Sequence, residues 1–226
     1  RGVSPLKPEL DRIAAIQDRK QVAAFLREGA DRRGLYFFGA GSQQDPKNAG
    51  MMIVRIGAGG LGLPDRDYYT KADAKSVETR QRYVAYMAHL LSLSGESQAQ
   101  AGADATAVMK IETALANASL TRVERRNPYN EYHPMKISEV ESLAPSLEMG
   151  AYLSEEHVPA SALSNINVSQ PKFLAALERE LATEPLDYLK AYLRVHALNA
   201  AAPSLSTPFE DAQFDFYSRY LRGVPQ

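Results

Sequence analysis

The sequence has no cysteine among its 226 residues. That excludes disulfides, thiol nucleophiles and cysteine-ligated metals from this stretch of chain. It leaves the compartment open, because many exported bacterial proteins also lack disulfides. There is no apolar run of 18 or more residues, so no segment reads as a membrane-spanning helix. Arg1 to Pro8 lack the apolar stretch of a secretory signal, although such a signal is compatible with a longer precursor. There is also no surplus of charge. The 26 basic and 27 acidic residues leave a net charge of -1, whereas nucleic-acid binding normally shows as a basic excess. Internal repeats and low-complexity tracts are absent, and strand-like segments are few.

What is present is a helical pattern. Hydrophobic residues make up 45% and charged residues 23% of the chain, the balance of an ordinary globular protein. The length suits one large domain or two small ones and allows roughly 70% of the unfolded surface to be buried without cross-links. Apolar residues recur at the helical period. Leu6, Leu10, Ile13 and Ala14 share a face; Val22, Phe25 and Leu26 open a second helix that Gly34 is expected to end. Residues 76–94 form the clearest helix, with Tyr83, Val84, Met87, Leu90 and Leu91 in one stripe and Gly95 as its stop. Val108, Ile111 and Leu115 make another stripe, and Ser138 with Glu141 reads as a capping box ahead of Val140 and Leu143.

The second half repeats the idiom. Phe173, Leu174, Leu177 and Leu181 follow Pro171, a residue suited to a first helical turn. Leu186, Leu189, Leu193 and His196 form the next stripe, and Thr207, Pro208 and Glu210 read as cap, first-turn proline and box partner. The helix over 209–221 is apolar on two faces, which predicts burial on both sides. Strand signals are confined to 35–38 and 51–54, expected as a hairpin around the polar segment 39–50, and to 165–168. Residues 98–104, small and polar, read as an exposed loop. The fold class these signals predict is mainly α: a helical bundle with a small β-hairpin.

Few residues offer chemistry. The four histidines, His89, His133, His157 and His196, are too far apart in sequence for any two to share a helical face. His196 and His89 read as core or interface histidines. Asp65 and Asp67 flank Arg66, an ion-paired knot rather than an acid–base pair. Gly57-Ala58-Gly59-Gly60 lacks the Lys and Ser/Thr of a phosphate-binding loop and reads as a bend. The basic run 121–126, with Tyr129 and Tyr132 behind it, is diluted by Glu124 and Glu131 and reads as a solvated or ion-paired turn, not as a binder of single-stranded nucleic acid. Asn117 and Asn167 fit the glycosylation pattern, which matters only in a eukaryotic secretory setting. No catalytic and no metal-ligating residue is predicted.

The string Gly60-Leu61-Gly62-Leu63-Pro64-Asp65-Arg66-Asp67-Tyr68-Tyr69 resembles a signature of the neprilysin-like zinc metallopeptidases (the neprilysin, endothelin-converting enzyme and bacterial oligopeptidase O type). The order of its surroundings is similar too: the hairpin before it, the 83–91 helix after it, then Ile111-Glu112-Thr113-Ala114-Leu115-Ala116, Arg125-Arg126-Asn127-Pro128-Tyr129-Asn130, Asn167-Val168, the 188–196 helix and Phe216-Tyr217. The resemblance covers essentially the whole chain.

It implies that residues 1–226 are the N-terminal helical cap region of a larger, two-domain peptidase, incomplete at both ends. The His-Glu-x-x-His zinc helix, its downstream glutamate ligand and the substrate-backbone motif would lie beyond Gln226. Zinc would therefore belong to a catalytic domain of the same protein and not to this segment. The implied partners are that catalytic domain and short peptide substrates, with no nucleic acid and no membrane span, and the implied location is extracytoplasmic, periplasmic or secreted. The cap would wall a chamber over the active site. The alternative is a stand-alone helical interaction module without peptidase activity. For Gly60, Gly62, Pro64, Asp65, Arg66, Asp67, Tyr68 and Tyr69 the expectation is structural: a rigid, largely buried crossover in which the glycines relax the backbone, Pro64 blocks helix continuation and the charged trio ties the turn.

Overall fold

The helices form where apolar period and end signals coincide. In α4 (Ala74–Leu93) the Asp73 side chain accepts the Ser76 N–H at 3.0 Å, satisfying one orphan donor of the first turn. Tyr83, Met87, Leu90 and Leu91 are buried along one face. Gly95, at φ +112°, closes the helix with a bond from the Glu96 N–H to the Leu91 carbonyl. The structure, a computed structural model, describes residues 2–29 and 35–225. Its contacts divide the chain into two units. One comprises Arg1–Ile16, Gly62–Thr113 and Pro185–Gln226; the other comprises Gln17–Leu61 and Ala114–Glu184.

The first unit is all helical. It holds α1 (Lys7–Ala14), the short α3 (Asp67–Thr70), α4, α5 (Gln98–Ala118) as far as Thr113, α9 (Leu186–Ala201) and α10 (Thr207–Gln213), which runs on as a π-helical segment, Phe214–Leu221. α9 packs against both α1 and α4, and α10 packs against α4. Accordingly, Leu189, Ala191, Tyr192, Leu193, Val195, Ala197 and Leu198 are all buried, so α9 is covered over most of its circumference. Phe209 and Phe216 are buried, while Phe214 is 37% exposed, so the two-sided burial expected for 209–221 is partial.

The second unit packs α2 (Arg19–Glu28), α6 (Ile137–Leu143), α7 (Met149–Glu155) and α8 (Pro171–Thr183) with a four-stranded mixed sheet. The strand order is β1 (Phe38–Asp45), β2 (Asn48–Ala58), β4 (Ile166–Val168), β3 (Pro134–Met135). β1 and β2 are antiparallel, β2 and β4 parallel with Val54 opposite Ile166, and β3 and β4 antiparallel. Every apolar residue expected on the α8 stripe, Phe173, Leu174, Leu177 and Leu181, is buried. Each such side chain contributes about 1.5–3 kcal/mol when fully removed from water.

Several expectations are corrected. The hairpin does not have a twelve-residue loop. β1 and β2 run through the polar segment to a two-residue turn at Pro46-Lys47, where the Asp45 side chain accepts the Lys47 N–H at 2.9 Å. Backbone pairing holds these polar strands together, and period-2 hydrophobicity could not reveal it. Residues 98–104 are the first turns of α5, not a loop. The Ser97 hydroxyl accepts the Gln100 N–H, and Ala101 and Ala105 are fully buried, so the small residues serve close packing. The box of α6 is formed by Glu139, whose side chain accepts the Lys136 N–H at 2.7 Å; Glu141 instead accepts the Gly150 N–H. α2 ends at Glu28 with Gly29 as its cap, and Gly34 lies outside the described residues. Ala14 is exposed, whereas Glu9 is buried on α1 beside Ile13.

Candidate functional site

The residues singled out by sequence lie on the path from the hairpin to α4. Gly60, at φ +70°, turns the chain as it leaves β2, a conformation that costs glycine little. The bend predicted at 57–60 begins later than expected, because Gly57 and Ala58 are still paired in β2. In the first unit, Leu63 is buried and Pro64 is exposed. The Asp65 side chain accepts the Asp67 N–H at 2.8 Å, which starts α3, and Asp67 pairs with Lys71 at 2.9 Å. The Arg66 carbonyl accepts the Tyr69 N–H at 3.0 Å and the Tyr68 carbonyl accepts Arg80 at 2.9 Å. Asp65 and Asp67 thus bind backbone and a lysine and are not a working carboxylate pair. The segment is half-buried rather than largely buried, with Leu63 and Tyr69 as its inner anchors.

Those anchors lead to a group that sequence reasoning did not single out. Glu112, on α5, has no exposed surface. Its Oε2 accepts the Gly62 N–H at 3.2 Å and the Tyr69 hydroxyl at 2.5 Å, and its Oε1 accepts the Tyr83 hydroxyl at 3.0 Å and lies 2.8 Å from His196 Nε2. The Tyr69 hydroxyl also accepts the Leu63 N–H at 2.8 Å, and the Tyr217 hydroxyl donates to the Gly62 carbonyl at 2.9 Å. The His196 ring stacks on Tyr192 with centroids 4.1 Å apart. Four elements of the first unit therefore meet at one carboxylate, the 62–69 segment, α4, α5 and α9, and the π-helical segment joins them through the Gly62 carbonyl. The signal available in the sequence was a glutamate inside the stripe of Val108, Ile111 and Leu115, a place where an unpaired charge would be prohibitively costly.

The chemistry of this knot is structural. Burial, and after it the charge of Glu112, holds the pKa values of Tyr69 and Tyr83 well above the ordinary tyrosine value. Tyr86 and Tyr217 are shifted the same way, with burial the largest cause. Near neutral pH all four hydroxyls are protonated donors, not nucleophiles. Gly62 is required by space: a Cβ there would lie 1.7 Å from the Tyr83 hydroxyl oxygen. Gly62→Ala is expected to destabilise the chain by about 1–3 kcal/mol, the usual range for overpacking, and adding Tyr83→Phe should recover part of that loss. Thermal melting measures both; an unchanged melting temperature for Gly62→Ala would show that the Tyr83 ring simply moves aside.

The other marked residues do not converge. His196 is buried and satisfied, as expected. His89 is exposed and so is not a core histidine, because it stands beside the buried stripe of α4 and not on it. His157 is exposed and adopts φ +59° at the end of α7, and the His133 N–H donates to Asn167. Among the described residues no group of three or more His, Asp or Glu side chains is placed to hold a metal ion, and none of their helices is long and apolar enough to cross a membrane. Asn167 is 1% exposed, with its side chain bonded to the Glu131 carbonyl, so of the two glycosylation patterns only Asn117 is accessible.

The fold of this chain is that of solved zinc metalloproteases. Its structure superposes on Mycobacterium tuberculosis zinc metalloprotease ZMP1 in complex with inhibitor with a TM-score of 0.90 at 25% identity, covering 100% of this chain and 34% of that one. It shares the fold of PepO from Lactobacillus rhamnosis, with a TM-score of 0.86 at 20% identity over 100% of this chain and 35% of that one. Neprilysin-3 of Drosophila melanogaster is 29% identical over 77% of this chain and 23% of its own length. Endothelin-converting enzyme 1 of Homo sapiens is 28% identical over 89% and 26%. The chain thus spans about a quarter of the length of these curated relatives. The N-terminal profile of peptidase family M13 matches residues 1–226, and the chain belongs to that family.

Proposed function

We propose that this chain is the non-catalytic helical part of a zinc metalloendopeptidase that cleaves short peptides, and that it walls the chamber over an active site supplied by a catalytic domain of the same protein. The observation that carries this reading is the Glu112 knot. Four donors of the first unit are turned inward on one carboxylate and used within the protein, which supports a rigid wall rather than a reaction centre. Such a wall selects substrates by steric exclusion and keeps bulk water from the chemistry it encloses.

Among the described residues no cluster of side chains fits a catalytic zinc. The histidines are dispersed, and the buried one spends its Nε2 on Glu112. Zinc and its ligands are therefore assigned to the catalytic domain, and short peptides are the substrates of the assembled enzyme. An extracytoplasmic location accompanies this reading.

Two measurements test it. After dialysis against metal-free buffer, this chain by itself should carry no stoichiometric zinc and should leave a quenched fluorescent peptide intact. The protein containing both parts should cleave that peptide and spare a folded protein bearing the same sequence in a surface loop. One zinc per chain with peptide turnover by residues 1–226 would overturn the non-catalytic assignment. Cleavage of the folded substrate at the rate of the free peptide would overturn the wall.

A further inference from the structure

In the second unit, the turn that follows α5 presents a surface that the helical core does not use. It is held in shape by its own hydrogen bonds. The Thr121 N–H and hydroxyl both donate to Glu124 Oε2 at 2.7 Å, and the Glu124 N–H donates back to Thr121 Oγ1 at 3.1 Å. Asn127 Oδ1 accepts the Tyr129 N–H at 3.1 Å, and Asn130 Nδ2 donates to the Glu124 carbonyl at 2.8 Å. A turn tied this closely is preorganised, yet it holds its apolar side chains outward. Val123 is 72% and Tyr129 75% exposed, the highest values among the large hydrophobic residues described.

Basic side chains surround them. Arg122, Arg125, Arg126 and Glu131 line a concavity of about 350 Å³. Glu131 holds Arg125 at 3.1 Å and Arg55 of β2 at 3.8 Å. Arg126 is exposed and forms no ion pair among the described residues. Exposed tyrosine and arginine on a rigid frame are the side chains that dominate the energetics of protein interfaces. The ordering cost of binding is small when that frame is already fixed.

We infer that residues 122–131 form a docking surface for an acidic polypeptide segment, one whose aspartates or glutamates engage Arg122, Arg125 and Arg126 while an apolar side chain seats against Val123 and Tyr129. The charge pattern selects this class of partner. Glu124 and Glu131 stand fixed among the guanidinium groups, so a uniformly anionic surface such as a bilayer or a nucleic-acid backbone meets repulsion as well as attraction. The net charge of -1 adds no long-range pull towards either. A polypeptide can place its carboxylates between those two and accept bidentate arginine bonds. This inference stands apart from the peptidase reading, and its test needs no peptidase activity.

The test is fluorescence anisotropy with a labelled peptide of alternating Glu and Asp around a single Leu. Its controls are the same peptide with Ser for Leu, a Lys-for-acid version, and vesicles of phosphatidylserine in a sedimentation assay. The acidic Leu peptide should bind, and the two control peptides should bind more weakly. The double variant Arg122→Glu with Arg126→Glu should weaken binding about tenfold or more, mostly through faster dissociation and lost steering. Tyr129→Ser should weaken it without changing its salt dependence. Circular dichroism melts of these exposed-site variants should match the parent. Lys20→Glu, on α2, should leave binding unchanged. The inference is overturned if the acidic peptide does not bind, if charge reversal leaves binding intact, or if the vesicles are bound with the same dependence on Arg122 and Arg126.

Discussion

Replacing Glu112 by alanine is expected to lower the unfolding free energy by about 3–5 kcal/mol, the range found when one partner of a buried charged network is removed. The reason is the number of groups left behind. The Gly62 N–H, the Tyr69 and Tyr83 hydroxyls and His196 Nε2 all point at this carboxylate in a region closed to water. Each neutral buried donor left without an acceptor costs about 1–3 kcal/mol. Some relaxation is available, because Tyr69 keeps the Leu63 N–H as a partner. Since whole domains are stable by only about 5–15 kcal/mol, the variant should unfold at markedly lower urea concentration. Glu112→Gln retains one acceptor oxygen and sets an NH₂ group against donors, so its loss should be smaller but still clear. Urea titration followed by circular dichroism measures both. A Glu112→Ala midpoint within error of the parent would show that the knot is dispensable.

The second large effect is the pH dependence of the same region. Tyr69, Tyr83, Tyr86 and Tyr217 are all harder to ionise in the folded chain than free tyrosine, with burial the largest cause for each. For a neutral acid the sign is definite. Below about pH 10 both states hold the phenolic proton and the shift changes nothing. Above it the unfolded chain ionises and the folded chain does not, so the unfolded state binds fewer protons and stability falls as pH rises. Each such tyrosine contributes at most about 1.4 kcal/mol per pH unit, and four together about 5 kcal/mol per unit. The chain should therefore unfold cooperatively within about one to two pH units above 10, given an ordinary total stability. Tyr86→Phe should make the slope shallower by about one proton. Urea midpoints that stay flat between pH 9 and about 11.5 would contradict the buried, protonated state of these hydroxyls.

The local patterns translated well into elements because each depends on neighbours in sequence. The stripe at Phe173, Leu174, Leu177 and Leu181, the first-turn Pro171 and the stop at Gly95 act within one or two helical turns, and all three are where the sequence places them. The misreadings share a cause. Gly39 to Gln44 and Gln98 to Asp104 are composed of residues common in loops, and what makes one a strand and the other a helix lies elsewhere. A partner strand over 48–58 pairs with the first. In the other segment Ala101 is buried, as is Ala105 just beyond it, and Asp104 is held by Arg194, all within the first unit.

By itself the sequence determined the mainly helical class, the positions of α4, α8 and α9 and, through the ten residues from Gly60 to Tyr69, membership of peptidase family M13. Only the tertiary structure decided what that segment touches. Its closing contacts join residues 43 to 155 positions apart, from the Tyr69–Glu112 bond to the Tyr217–Gly62 bond. Hydrophobic period carries no information at that range. It also decided that His196 is inside and His89 outside, although both lie on helices with apolar stripes. A histidine is stable in the core only where another group satisfies its ring nitrogen, and α5 brings Glu112 to His196 but not to His89.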